Sequence, residues 1–500
     1  MTSREVFVDL DPTPLWANFS RIAEIPRPSG HESEVIGWIA DWAATRGYPS
    51  RRDTAGNIAI YVPGSLNSPG SQTTALQAHL DMVCVRHADS RSDPMTGNIE
   101  VIRDGEWIVA PHCTLGADNG IGIAAAMCLA ESNTTPHGPL ELLFTVEEET
   151  TLKGADNLDP DLVHTQTMLN LDADVFGELT IGCAGGTWTI LRWPAPTDPV
   201  PESWLIADIV LSGLTGGHSG VDILNNRLNA IKGIVWLVRA LQAHIPFHLC
   251  RLEGGDAFNA IPVRSHATIA FPSAEASALD GYLARAQSHL AARFSATDPH
   301  LSVSKATVSA EGVKCWPDQS WDRLLHLLTT IPSGVVAMEQ HAPDLVESSS
   351  NLGIVAMRGD ALEVHSLSRS SVAAAQEEIV TSIASAANLA GSDFAIVPPV
   401  VPPWRVPPDS PLLGVVKASY RNLFQRDPKL VTVHAGNECA TIQRRVPGLD
   451  VVSIGPDIHQ AHMPGERVSV PSVVKFHALL CEVVYRLATQ RPRIVSSRIG

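Results

Sequence analysis

Five hundred residues are more than one hydrophobic core usually serves, so two domains are the first expectation. Apolar residues make up 44% and charged residues 18%, the balance of a folded chain and not of a disordered one. The formal net charge of −17, from 53 acidic and 36 basic side chains, argues against nucleic acid or an anionic membrane as partner and leaves carboxylates available for cations.

The opening MTSREVFVDLDP has no apolar segment of the secretory kind. The longest apolar runs, such as residues 121–130, fall far short of the ~18–20 residues of a membrane span. Eight cysteines are scattered without a CxxC pair, so reduced, mostly buried thiols in a cytoplasmic protein are expected.

PLWANFSRIAEI has helical periodicity, and HESEVIGWIADWAATRG is a second amphipathic helix ending at Gly47. NIAIYVPG and TTALQAHLDMV read as strands, and a helix over about 119–131 follows. PLELLFTV is continuously apolar, as a strand covered on both faces should be, and TMLNLDAD is the next strand. This is an α/β pattern with a largely parallel sheet. The punctuation changes after IGCAGG, residues 181–186. Beyond it come the strand ADIVLSG, a helix over 225–243, the strand HATIAFP and a helix over 274–293. The alternation recurs in LSVSKATVS, 321–330, ALEVHSLSR and 371–389, so this section can be read as two βαβ-like halves.

VPPVVPPWRVPPDSP, residues 397–411, has seven prolines in fifteen positions and reads as a stiff, extended connector. LLGVVKASYRNLFQR then resumes a helix and LDVVSIGP a buried strand. The expected fold class is α/β, with a mainly parallel-sheet catalytic domain over 1–186 and 400–500. A large α+β domain over 187–399 interrupts it and can hinge.

The first section places acids and histidines where strands end. QAHLDMV carries His79 and Asp81 two residues apart, hence on one face of a strand. Asp118 precedes a helix in CTLGADNG, Glu148 and Glu149 follow LLFTV, and Asp172 follows LNL. Ligands of parallel α/β sheets bind beyond the carboxyl ends of the strands. Imidazoles and carboxylates without thiolates favour Zn²⁺, Mn²⁺ or Co²⁺. Taken singly, an aspartate before a helix is usually an N-cap; the joint occurrence in one sheet pattern carries the inference.

QAHLDMV, CTLGADNGIG, TVEEE, LNLDAD, GCAGG, LTGGHSG and NAIP, in this order, resemble the di-zinc metallopeptidases of the M20 family. LEVHSLSRS, HAGNEC and VVSIGPDIHQAH extend the similarity, from about Pro14 to Val473, toward the aminoacyl-histidine dipeptidase branch. The resemblance implies a zinc-peptidase domain with a large inserted lid, two divalent metal ions, most simply Zn²⁺, and a small peptide substrate. It implies that Asp118 bridges the metals, with His79 and Asp172 on one and Glu149 and His462 on the other. Glu148 matches the general base that activates a water between the metals, and Asp81 the residue that orients His79. Glu147, on a strand opposite Glu148, is left as a solvated or capping charge.

In the lid, His218 matches a histidine that polarises the substrate carbonyl and Arg369 an arginine for its terminal carboxylate. Asn259 in NAIP and Glu438 in HAGNE are further candidates for substrate contact. Asn437 departs from the pattern, because the dipeptidases carry an apolar residue there, near the expected pocket. The activity implied is cleavage of unblocked dipeptides, Xaa-His (carnosine-like) among them. Another amide hydrolase of the family, such as a tripeptidase or N-acyl amino-acid deacylase, is the alternative, and a non-catalytic metal-binding module the third reading. A homodimer is implied by resemblance alone.

Overall fold

Thr74–His79, Leu140–Thr145 and Thr167–Asn170 are buried at every position, as mostly apolar strands covered on both faces are, and the polar Gln77, Glu141 and Asn170 within them are buried as well. In the computed structural model, which describes residues 5–65, 71–340 and 342–489, these strands lie at the middle of a nine-stranded sheet. Its order is 50–52, 58–62, 140–145, 74–79, 167–170, 450–453, 178–183 and 404–405, with 429–433 also paired to 178–183. The four central strands run parallel. The flanking strands 50–62 and 178–183 are antiparallel, so the sheet is mixed and not parallel throughout. The helix Ala117–Ala130 packs on Thr74–His79 and is buried at every position except Asp118. No amphipathic stripe is therefore visible in it.

The chain divides into two compact units. The first comprises residues 1–182, 404–432 and 437–500, and the second residues 183–403 and 433–436. The second unit is built on its own nine-stranded sheet, in the order 302–308, 204–212, 265–272, 248–254, 342–358, 361–370, 185–194 and 393–401, with 334–339 on the edge of 342–358. Every strand pair described in it is antiparallel. Its helices Ala230–Leu241, Ala276–Phe294, Asp318–Thr330 and Ala373–Ala390 bury Ile234, Leu283, Leu324 and Ile383 in one core with Leu191, Ile209 and Val364 of the sheet. The helix expected from 225 begins only at Ala230, because the Asn229 side chain accepts the Ile231 and Lys232 N–H groups as its N-cap.

The proline-rich stretch is not a free connector. Asp393–Val401 is the edge strand of the second sheet, with a break in register between Val397 and Val401 at the Pro398–Pro399 pair. Proline has no N–H to give a ladder, so an edge is the position a strand of this composition can occupy. The helix Pro411–Phe424 then starts at Ser410, whose hydroxyl accepts the Leu413 N–H. None of the eight cysteines is in a disulfide. Among the described residues no helix is long and apolar enough to cross a membrane.

Candidate metal centre

Register brings the acids and histidines of the first unit to one end of its sheet. His79 ends its strand level with Thr145, and Gln77 is level with Asn170. The segments that carry Asp81, Glu148–Glu149 and Asp172 therefore leave the sheet side by side. His79 Nε2 lies 3.0 Å from Asp118 Oδ1 and 3.3 Å from Asp172 Oδ1. His462 Nε2 lies 3.1 Å from Asp118 Oδ2 and 2.9 Å from Glu149 Oε2. Asp118 thus turns one oxygen to each imidazole. Two triads, His79–Asp118–Asp172 and Asp118–Glu149–His462, share it, and the donor atoms within each lie within 4.8 Å of one another. His79 forms a third such group with Glu148 and Glu149.

Asp118 is not an N-cap. The cap position is Gly116, and Asp118 sits in the first turn with a non-helical backbone, φ −82° and ψ 111°, and makes no capping bond. Glu147–Glu149 are not on a strand either, since that strand ends at Thr145. Glu147 has a positive φ of 54°, which turns the chain into the short helix Glu148–Thr151 and parts Glu147 from Glu148 and Glu149, whose oxygens stay within 4.8 Å of one another beside His79. Glu147 pairs with Lys153 at the surface. Asp81 holds the other two: its Oδ1 accepts the Glu148 N–H and its Oδ2 the Glu149 N–H, each at 3.0 Å. The Ser29 hydroxyl donates to Oδ2 at 2.7 Å, and His79 Nδ1 lies 3.4 Å from Oδ1.

The charges of this cluster are unbalanced without cations. Burial would lower the His79 imidazole, yet the carboxylates of Asp172, Asp118 and Asp81 raise it well above its ordinary value. Hydrogen bonds to Asp118 and Glu149 push His462 up to about 11. Burial, and then the charges of Glu149 and Asp172, raise Glu148 well above the carboxylate range, and burial with Asp118 raises Glu149. Glu149 Oε1 is buried with no hydrogen-bond partner. An orphaned carboxylate oxygen among imidazoles and carboxylates, all competing for protons, fits divalent cations with nitrogen and oxygen ligands.

The sequence profile of Peptidase family M20/M25/M40 matches residues 75–486. The chain belongs to this family. It is thereby one of a family of metal-dependent peptide-bond hydrolases. This M20 peptidase is 34% identical over 475 residues to the cytosol non-specific dipeptidase of Escherichia coli (strain K12), covering 95% of this chain and 98% of that protein. The crystal structure of aminoacylhistidine dipeptidase from Vibrio alginolyticus superposes with a TM-score of 0.82 at 31% identity, over 96% of this chain and 97% of that one. An aminopeptidase from Bacillus cereus shares the fold, with a TM-score of 0.55 at 16% identity over 96% of this chain and 99% of its own.

The remaining expected residues have different surroundings. Glu438 is buried in the first unit, where its Oε2 accepts from Gln77 Nε2 and Thr145 Oγ1, each at 2.7 Å, and burial pushes it up to about 7. These two bonds brace it beneath the strand ends, while its Oε1 is buried without a hydrogen-bond partner. Asn437 caps the helix Glu438–Arg445 by accepting the Cys439 N–H at 2.8 Å, which explains a polar residue where an apolar one was expected.

In the second unit, His218 is level with Ala260, next to the exposed Asn259, whose carbonyl accepts the Ser219 N–H. His218 Nδ1 accepts the N–H groups of Gly220 and Val221, so the ring proton stands on Nε2. Arg369 is buried, its Nε has no partner, and burial lowers it to about 10. His434, which the motif reading passed over, bonds Ser349 Oγ at 2.7 Å and is lowered to about 4 by burial and by Arg369 and His218. Ser29, Arg27 and Glu466 were missed as well. They lie in loops without periodicity, and only Glu466, four residues past His462, had a nearby signal.

Proposed function

We propose that this M20 peptidase is a two-metal dipeptidase that cleaves unblocked dipeptides, those with C-terminal histidine among them. The observation that carries the reading is Asp118, which faces a different imidazole with each oxygen inside two ligand triads. His79, Asp118 and Asp172 would hold one ion, and Asp118, Glu149 and His462 the other. Zn²⁺ suits this donor set, with Mn²⁺ and Co²⁺ as substitutes. When bound, such ions polarise a carbonyl and acidify a water.

Glu148 takes the proton from the attacking water and passes it to the leaving amine. Asp81 keeps Glu148 and Glu149 in place through their peptide N–H groups and orients His79. The second unit acts as a lid: His218 donates from Nε2 to the carbonyl oxygen, and the unpaired Arg369 guanidinium receives the substrate carboxylate. We take the catalytic domain as 1–186 with 400–500 and the lid as 187–399, ends that lie within four residues of the two compact units except for the short stretch 433–436, and the proposed protein is cytoplasmic, with a homodimer implied by the resemblance alone.

The test is a panel of dipeptides, tripeptides and N-acetyl amino acids, assayed with chelator and then with Zn²⁺ or Mn²⁺ restored. Metal-dependent release of histidine from Xaa-His substrates is expected. Hydrolysis of acetylated amino acids without any hydrolysis of free dipeptides sinks the proposal.

A further inference from the structure

Asp118 closes a turn, residues 115–118, whose peptide groups are held from two sides by buried charges. Glu466 Oε2 accepts the Leu115 and Gly116 N–H groups at 2.7 and 3.0 Å, and its Oε1 accepts those of Ala117 and Asp118 at 2.8 and 3.3 Å. From the carbonyl side, Arg27 Nη2 donates to Gly116 O at 2.5 Å, while its Nη1 donates to Leu80 O at 2.8 Å and Asp81 O at 2.6 Å. Gly116 is where the two meet. Its φ is +71°, and a Cβ there would stand 2.6 Å from Arg27 Nη2 and 2.7 Å from Met82 Sδ.

The stretch after His462 is tied to the same loop. The Gly465 N–H donates to Ala110 O, and the Ala110 N–H donates to Glu466 O. One guanidinium and one carboxylate, both nearly unexposed, therefore connect the three segments that bear His79 and Asp81, Asp118, and His462. Charge-assisted bonds of this kind fix geometry more firmly than neutral ones.

We propose that Arg27 and Glu466 are positioning residues: together they lock the 115–118 turn so that the Asp118 oxygens face His79 and His462, and so set the spacing of the two metal sites. This rests on the two-metal reading above. Neither residue touches substrate, and neither is a ligand. A glutamine at 466 keeps the shape but turns one acceptor into a donor facing N–H groups. A lysine at 27 keeps the charge but cannot span three carbonyls with one fork.

The experiment is titration of the metal-free protein with zinc alone against a chromophoric chelator, for wild type, Glu466→Gln, Arg27→Lys and the double variant. Circular dichroism melts of each metal-free protein accompany it, with dipeptide turnover at rising zinc. Wild type should take up two ions. Each variant should melt below wild type when metal-free yet stay folded at the titration temperature, bind the ions roughly 10–100-fold more weakly, and regain turnover in excess zinc. The double variant should bind little worse than the poorer single one, since both hold one turn.

Wild-type isotherms in both variants overturn the proposal, as does a metal deficit equal to the unfolded fraction seen by circular dichroism. If Glu466→Gln does not fold, the Arg27→Lys isotherm decides. Fewer than two ions in wild type overturn the two-metal reading and the clamp with it. Two ions in wild type with unchanged variants overturn the clamp alone.

Discussion

Asp81→Asn isolates what one buried carboxylate does for this centre. Its two oxygens serve four groups: the Glu148 N–H and His79 on one, the Glu149 N–H and the Ser29 hydroxyl on the other. Asparagine has the same shape, but one terminal atom becomes an NH₂, so two of the four neighbours lose their acceptor. Bonds to a charged acceptor contribute ~1.5–3 kcal/mol each, so two losses amount to ~3–6 kcal/mol before relaxation. If NH₂ lies on the Ser29 side, that hydroxyl can rotate to accept, which leaves one lost bond at ~1.5–3 kcal/mol. Part of it falls on the metals, whose affinity should drop ~10–100-fold. The rest falls on Glu148, whose displacement by ~1 Å costs ~10²-fold in rate. Turnover should therefore fall ~10²–10⁴-fold at limiting zinc and still ~10²-fold in excess zinc. Steady-state dipeptide hydrolysis in chelator-buffered zinc measures both parts. A variant that keeps more than about a tenth of wild-type kcat with an unchanged zinc isotherm refutes the role given to Asp81, because ~1.4 kcal/mol is already tenfold.

Glu148→Gln should keep both ions and lose ~10²–10⁴-fold in kcat, whereas Glu147→Gln, which removes only a surface pair with Lys153, should leave kcat and melting temperature near wild type. Metal counts and turnover on both variants check this, and a dead Glu147→Gln reverses the assignment. Arg369→Lys should raise KM for free dipeptides ~10–100-fold and leave dipeptide amides almost unaffected, because only the former offer a carboxylate to the guanidinium; equal losses on both would reject the carboxylate role. His462 is held up to about 11, above its unfolded value of ~6.5. In the metal-free protein its stabilisation is thus complete below ~pH 6.5 and is lost as the pH rises toward 11. Melts of the chelated protein should fall through that window and zinc should remove the trend by displacing the proton; a His462→Gln protein with the same slope as wild type would sink the argument.

The parallel centre of the first sheet was readable because LLFTV and MLNL are apolar without alternation, which only strands covered on both faces tolerate. Four of the candidate donors, His79, Asp118, Glu149 and Asp172, were readable because each follows an apolar run or opens a helix, whereas His462 came only from the resemblance carried by GPDIHQAH. Two things were hidden for physical reasons. A positive φ at Glu147 leaves no trace in an EEE triplet, so the three acids were placed on a strand that stops two residues earlier. Polar partners such as the buried Arg27 and Glu466 and the half-buried Ser29 are defined by what folds against them across 50 to 350 residues, which periodicity does not encode. The bonds of Glu438 to Gln77 and Thr145 were hidden for the same reason, since both partners are remote in sequence.

Asp450–Ser453 lies between Thr167–Asn170 and Glu178–Cys183 in the first sheet, although the whole second unit separates it from them along the chain. During synthesis the strands up to residue 183 emerge with an unfilled slot in their middle, and the second unit is made in full before the strand that fills it. His462 follows nine residues behind that strand. A nascent chain can therefore finish its inserted unit, whose strand pairs and core are its own, while the peptidase half is still an open sheet. Closing the sheet and supplying the last imidazole are then nearly one event. Until that strand and His462 have emerged, the nascent chain lacks one imidazole of the proposed two-metal centre.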